Sequence, residues 1–479
     1  MESIYLTARF VVENSACIHH PGAIEVRHGR VVDVGHPNRI ADRRSCIDLG
    51  DSVLLPGLIN PHTHLEFSDF AHPIPAPATF ADWILQVIRH RQAVAQRAEE
   101  DLQPHRDAVC NRGLLECWQT GSAVVVDIAT CPWQPHYQWQ ASGRAIARQF
   151  ADSLGRGDLS DAVGRHLGPV LGPRVVCLAE VIGLDARRLQ TAIEWAQMLV
   201  ASGRGDWASL GDRAIDAVAA QLDDRKAPMQ VGVSPHAPYS IRWSAEVQQA
   251  IESMLRHRVA AMHVAESREE LEYLADGTGP LADLWNRLGI STPEHRWSID
   301  RVIAWLGRAK WSLVVHGNYL TPGQIETIGQ NRSMSIVFCP RTHRHFGHQC
   351  YPLDQMRQAG VRVVLGTDSR ASNPDLNLWM EVLECRRRYP QCDPGWALDM
   401  VTRDAAEALG IERRFGTLSI GKYAFCNWIP ADPKWTERDL LDAITSGPAM
   451  PRPAWQGPAS TVCEQQAPPI PPEESPQVE

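Results

Sequence analysis

The chain has 479 residues, 44% hydrophobic and 22% charged, with a formal net charge of −9. That length and balance suit one large or two modest domains with a sizeable core. The negative balance leaves no global basic field for nucleic acid or an anionic membrane surface, and Arg386, Arg387 and Arg388 read as a solvated helix face. Twelve cysteines are scattered from Cys17 to Cys463 without a CxxC pair. With no secretory signal in MESIYLTARF, they read as reduced thiols of a cytoplasmic protein. No run of 18 apolar residues marks a membrane span.

Residues 1–55 read as short strands and turns, with two alternating runs in 22–35 either side of His28-Gly29, a hairpin signal. From residue 53 the pattern changes to strand-like runs at 53–59, 123–128, 174–181, 230–234, 260–264, 312–315, 334–338 and 362–366. Helix-compatible stretches such as 80–100, 186–201, 244–256 and 353–359 lie between them. Eight such repeats predict an α/β fold, a (β/α)8 TIM-type barrel over 56–410. The long connections 135–170 and 195–228, the second with Gly203-Arg-Gly-Asp, read as lids or insertions. Residues 415–429 return to β character, so 411–446 should join 1–55 in a small β-sandwich built from both chain ends. The Pro-rich stretch 447–479 reads as a disordered tail.

Chemistry-bearing residues fall at the ends of the strand-like runs: His62 and His64 in LLPGLINPHTHLE, His263 and Glu266 in AMHVAES, His316 in LVVHGN, and Asp368 in VVLGTDS. Residues i and i+2 at a strand end point to one side, so His62 and His64 can share a barrel lumen while Thr63 faces away. Three imidazoles and a carboxylate make a ligand set for a divalent transition metal, with Glu266 and His316 as acid–base groups beside it. An isolated HxH pair is a weak signal; the ordered set carries the weight. His236, between Pro235 and Pro238 in SPHAPYS, reads as a substrate contact, against a loop histidine satisfied by backbone. Arg341, His343, His345 and His348 lack a carboxylate partner, so pocket lining or exposure outweighs a second metal site. Trp83 reads as a pocket wall or helix core residue. No GxGxxG or GxxxxGK[ST] follows a strand, which argues against dinucleotide or P-loop chemistry.

These motifs, with FCPR and LGTDSRASNPDLNL, resemble the amidohydrolase superfamily, and most of all its mononuclear-metal branch of aminohydrolases and chlorohydrolases. The likeness covers the chain to about residue 430. It implies one divalent metal, Zn2+ with Fe2+ as the alternative, held by His62, His64, His263 and Asp368. It makes Glu266 the proton shuttle, with His316 and Asp368 on the hydrolytic water, and His236, Ser372 and Asn373 facing substrate. Relatives with two metals carry a lysine on the fourth strand; Gln230-Val-Gly-Val-Ser234 has none. HTHLEFS, the Trp83 segment and CPRTHRHFGH resemble aminodeoxyfutalosine deaminases, which puts Glu66 on the substrate's ribose; the alternative is a carboxylate orienting His62 or His64. The family's Gly-Lys-x-Ala-Asp is here Gly421-Lys422-Tyr423-Ala424-Phe425, which puts local sandwich packing in question.

The implied activity is hydrolytic deamination of an aminated purine nucleoside such as aminodeoxyfutalosine, S-adenosylhomocysteine or a 5′-deoxyadenosine-like compound. The partner is thus a small molecule, with no nucleic acid or membrane, and homo-oligomerisation is left open. Chlorohydrolase or cyclic amidohydrolase chemistry is the alternative, and a non-catalytic scaffold a remote one, since the full ligand set is present.

Overall fold

A computed structural model describes residues 3–39, 43–76, 78–138, 143–153, 155–202, 229–255 and 258–454. Seven short strands open the chain: β1 (Ile4–Ala8), β2 (Phe10–Asn14), β3 (Cys17–His19), β4 (Gly22–Arg27), β5 (Arg30–Gly35), β6 (Cys46–Asp48) and β7 (Ser52–Pro56). Eight more, spaced by helices, are β8 (Leu58–Thr63), β9 (Ser122–Ala129), β10 (Arg174–Val181), β11 (Met229–Pro235), β12 (Val259–Val264), β13 (Trp311–His316), β14 (Met334–Phe338) and β15 (Arg362–Leu365). Two late strands, β16 (Cys426–Pro430) and β17 (Arg452–Pro453), complete the described set.

Strands β8 to β15 form one parallel sheet in sequence order. The sheet closes on itself through a Thr63–Asp368 bridge, with the Asp368 N–H donating to the His62 carbonyl at 3.1 Å. Asn60 seals the same seam: its amide donates to the Thr367 hydroxyl at 2.8 Å. This is the expected eight-stranded barrel. Its strands are buried along nearly their whole length, as a parallel sheet covered by helices and filled by its own side chains requires.

The remaining strands form two sheets, ordered β5-β4-β1-β6 and β17-β16-β7-β2-β3. The β4–β5 hairpin turns at His28 and Gly29, both at positive φ (49° and 77°), as a tight hairpin turn demands. Chain ends meet where β16 runs antiparallel to β7, Ile429 opposite Val53 and Cys426 opposite Pro56. Phe425, in place of the family's acidic residue, is buried beside Phe415 and Tyr423, with Arg174 over its ring.

Four sequence readings change. The apolar run 53–59 serves two sheets and breaks at Gly57, where a Cβ would lie 2.5 Å from Ala123 Cβ and 2.9 Å from Phe425 Cβ. The stretch 80–100 spans two helices, Phe80–Ala95 and Glu99–Gln119. Connection 135–170 carries helices Gly143–Ser153 and Ser160–His166. His166 takes the His28 N–H on its Nδ1 at 3.2 Å and the Gly29 N–H on its carbonyl at 2.6 Å, so this insertion braces the sandwich hairpin. At the other end, β17 pairs with β16 beyond the boundary drawn at 447. Of connection 195–228, residues up to Ser202 end the helix Ala186–Ser202; Gly203-Arg-Gly-Asp, and the tail from 455, lie outside the described residues.

Candidate active site

The carboxyl ends of β8, β12, β13 and β15 deliver one cluster. His62 and His64 point the same way from β8, ring centroids 4.9 Å apart, while Thr63 turns aside to donate to the Val126 carbonyl at 2.6 Å. His263, from β12, brings its Nε2 within 3.3 Å of His64 Nε2 and its ring within 5.0 Å of His62. His316 ends β13, its ring 5.4 Å from that of His263. Asp368, just past β15, sets Oδ1 3.6 Å from His62 Nε2 and 3.8 Å from His64 Nε2. Two overlapping triplets of ligand atoms result, His62/His263/His316 and His62/His64/Asp368.

Three of these strand ends hold strained backbone: Ala265, His316 and Asp368 sit at φ 52°, 68° and 57°. Positive φ on non-glycine residues is uncommon and gathers where structure over-determines it. Here the restraints are visible. The Tyr351 hydroxyl donates to the His316 carbonyl at 2.7 Å. Ser372 donates to Asp368 Oδ2 at 2.8 Å. Glu270 takes the N–H groups of Ala265 and Glu266 at 3.1 and 2.7 Å.

Electrostatics divide the site. Burial alone would raise the Asp368 carboxyl, but the imidazoles of His62, His316 and His64 hold it far below the ordinary carboxylate range. Glu266 shifts the other way: burial, then Asp368 and Glu270, push its carboxyl well above its usual value. Its Oε1 lies 3.5 Å from His316 Nε2. Burial, with His62, lowers His263 to about 4, and burial takes His64 and His316 well below the ordinary histidine value. Neutral imidazoles are ligands. His263 donates its Nδ1–H to the His236 carbonyl at 2.8 Å, which leaves its Nε2 lone pair toward the cluster.

The nitrogens of His62, Nδ1 of His64 and Nε2 of His316 are buried without hydrogen-bond partners. Such groups are costly inside a protein unless something binds them. Neutral imidazoles converging on an ionised carboxylate fit a divalent cation.

Other expected site residues fare differently. His236 is adjacent, its ring 4.9 Å from His263 and its Nδ1 2.7 Å from the Ser240 hydroxyl. Trp83 stacks on Phe80 and reaches the Ala371 carbonyl at 3.4 Å, in the loop that carries Asp368. Ser372 and Asn373 turn inward. Ser372 braces Asp368, and Asn373 donates to the Thr367 carbonyl and to Glu381 at 2.9 and 2.6 Å. Glu66 makes no hydrogen bond to His62 or His64; Arg91 and Thr130 donate to its Oε1 at 2.6 and 2.8 Å. Burial would raise Glu66, yet Arg91 and Arg106 lower it below its usual value. With His90, His105, Arg106, Val94 and Val109, this pair lines a small cavity of mixed polar and apolar character.

Sequence reasoning missed Glu270, Tyr351, and Asp127, whose Oδ1 takes the Leu65 N–H at 2.8 Å just after the histidine pair. Ser267-Arg-Glu-Glu270 does carry a helix-start pattern. Ser267 accepts the Glu270 N–H at 3.1 Å, but the Glu270 carboxylate serves the strained turn.

The amidohydrolase family model matches residues 170–433. The chain is 25% identical over 421 residues to 5-methylthioadenosine/S-adenosylhomocysteine deaminase of Syntrophobacter fumaroxidans, covering 84% of this chain and 78% of that one. It is 26% identical over 381 residues to aminodeoxyfutalosine deaminase of Nitratiruptor sp., covering 78% of each. Among solved structures, aminofutalosine deaminase of Helicobacter pylori superposes with a TM-score of 0.65 at 19% identity, covering 93% and 97%. Atrazine chlorohydrolase of Arthrobacter aurescens, complexed with zinc, superposes at 0.63 and 17%, covering 92% and 91%; these two show the shared fold. A closed eight-stranded barrel with converging histidines at its strand ends, and a family match over more than half the chain, lead to one conclusion: the chain belongs to the amidohydrolase family.

Proposed function

We propose that this chain is a metal-dependent hydrolytic deaminase of an adenine-type nucleoside, converting an aromatic C–NH2 and water to C=O and ammonia. Its relatives named for 5-methylthioadenosine, S-adenosylhomocysteine and aminodeoxyfutalosine support that substrate class. The observation that carries the reading is geometric: His62, His64, His263 and Asp368 converge at the strand ends, with Glu266 beside His316 at their edge.

In this reading His62, His64, His263 and Asp368 hold one divalent ion, Zn2+ before Fe2+. When bound, such an ion supplies Lewis-acid polarisation and a lowered water pKa. Glu266 relays protons: it takes one from the attacking water and delivers it to a ring nitrogen, which makes the amine-bearing carbon electrophilic. As the tetrahedral carbon collapses, Glu266 passes the remaining hydroxyl proton to the departing amine, which leaves C=O, ammonia and the Glu266 carboxylate as it began. His316, a neutral imidazole 3.5 Å from Glu266, and Asp368 orient the water. Glu66, its Oε1 fixed by Arg91 and Thr130, offers Oε2 to ribose hydroxyls, with Trp83 and His236 along the pocket.

The reading includes a cytoplasmic setting, no use of nucleic acid, and self-association as the assembly in view. Among the described residues, no helix is long and apolar enough to cross a membrane.

The test is ammonia release by metal-analysed protein from 5′-methylthioadenosine, S-adenosylhomocysteine, aminodeoxyfutalosine, adenosine and a chlorotriazine. Ammonia from one or more adenine nucleosides is expected. Chloride from the triazine without ammonia from any nucleoside would replace deamination by dechlorination.

A further inference from the structure

In the sandwich sheet β17-β16-β7-β2-β3, the β2–β3 hairpin gathers a second set of ligand atoms. Cys17 and His19 lie at i and i+2 on β3 and so share a face. A register shift between Val12 and Asn14 on β2 displaces Glu13 from the regular ladder. As a result His19 Nε2 lies 3.2 Å from Glu13 Oε2 and 3.6 Å from Cys17 Sγ. All three ligand atoms fall within 4.8 Å of one another. Glu13 is held in place: Ser419 donates to its other oxygen, Oε1, at 2.7 Å, and Thr417 donates to Ser419 at 3.0 Å.

We propose that Glu13, Cys17 and His19 form a second, separate site for a divalent transition metal of the zinc class. Tetrahedral zinc binds sulfur at about 2.3 Å and nitrogen or oxygen at about 2.0–2.1 Å. Around one ion those lengths place nitrogen about 3.3 Å from oxygen and about 3.6 Å from sulfur. The hairpin already holds 3.2 and 3.6 Å. Thiolate and imidazole select such an ion over magnesium or calcium. The Ser419 hydroxyl supplies the outer support that metal carboxylates ordinarily have. Side chains of His19 and Glu13 are 23% and 18% exposed, which gives an ion entry and leaves the fourth position to water. Binding releases the Cys17 thiol proton to solvent. The ion clasps the β2–β3 hairpin, which the Glu13–Ser419 hydrogen bond joins to the late segment of the chain. The competing account of the same distances is a Glu–His–Cys hydrogen-bond chain.

Cobalt separates the two. The full-length protein, stripped with a chelator, is titrated with Co2+ and followed in the near-ultraviolet for thiolate-to-cobalt charge transfer. The barrel cluster offers nitrogen and oxygen ligands alone, so a thiolate band reports the hairpin. The band is expected in the parent and in His263→Asn, and lost in Cys17→Ser. Zn2+ bound per chain should fall by about one equivalent in Cys17→Ser, with catalytic rate unchanged. His19→Gln, which keeps the thiol, should bind Co2+ much more weakly at this site. No thiolate band in the parent, a band that survives Cys17→Ser, or undiminished binding in His19→Gln would overturn the site and leave the hydrogen-bond chain.

Discussion

Two groups of histidines, all buried but the half-buried His348, follow the ends of barrel strands, and they have different surroundings. After β8, β12 and β13, His62, His64, His263 and His316 converge with Asp368 among them. After β14, His343 packs against Phe338, Tyr351 and His348, with ring centroids 5.6, 5.7 and 5.3 Å away, and His348 contacts the Tyr319 hydroxyl at 3.0 Å. Both groups are held neutral: burial, then His348, lowers His343 to about 3, and burial lowers His348 to about 4. The nearby acids are spent, Asp375 and Glu381 on Arg341 and Glu384 on Arg344. Neutral, desolvated imidazoles are common to the two; an ionised carboxylate in the midst of the rings is what sets the first apart as a cation site.

The largest effect that would break this contrast is on Asp368. Asp368→Asn keeps the shape and removes the charge, and bound metal and turnover should both fall to background by elemental analysis and ammonia assay. Metal retained at parental level would mean that the imidazoles suffice. Next, Glu266→Gln should leave metal content unchanged while kcat falls by roughly 10²–10⁴-fold; a parental rate removes Glu266 from proton transfer. Ser372→Ala frees Asp368 from its hydroxyl partner and should weaken metal binding by about 10-fold, measured by competition with a chelator.

The smallest effect concerns the second group. His343 and His348 take protons in the unfolded chain near pH 6.5 but in the folded chain only near 3 and 4. The unfolded state therefore binds more protons between those values, so their contribution to stability is present above about pH 6.5 and is lost as pH falls toward 4. The Tm of metal-free protein should fall across that window. His343→Gln should flatten the fall without changing metal content. A loss of metal in that variant would join the two groups into one.

Much of this was legible because the residues in question are local. A histidine or aspartate directly after an apolar run is placed by the strand before it, and eight runs in order specify a barrel whose ends meet. What escaped depends on distant contacts. Arg91 finds Glu66 from 25 residues away. Tyr351 reaches back to the His316 carbonyl from 35 residues away. Ser372 and Asn373 sit in a polar segment that reads as ligand-facing, yet their hydrogen bonds close inward on Asp368, Thr367 and Glu381. Gly57 hides in an apolar run because a kink between two buried strands changes direction without changing hydrophobicity.

The left-handed backbone at Ala265, His316 and Asp368 bears on how this protein would respond to selection for robustness. Glycine tolerates that conformation without the steric cost, of order 1–3 kcal/mol per residue, that other side chains meet. Replacement by glycine at His316 or Asp368 would thus relieve strain while deleting the group the strain presents. A screen that rewards thermal tolerance alone would favour such changes and drift toward sturdier, inactive barrels, so improving this protein means scoring turnover in the same round.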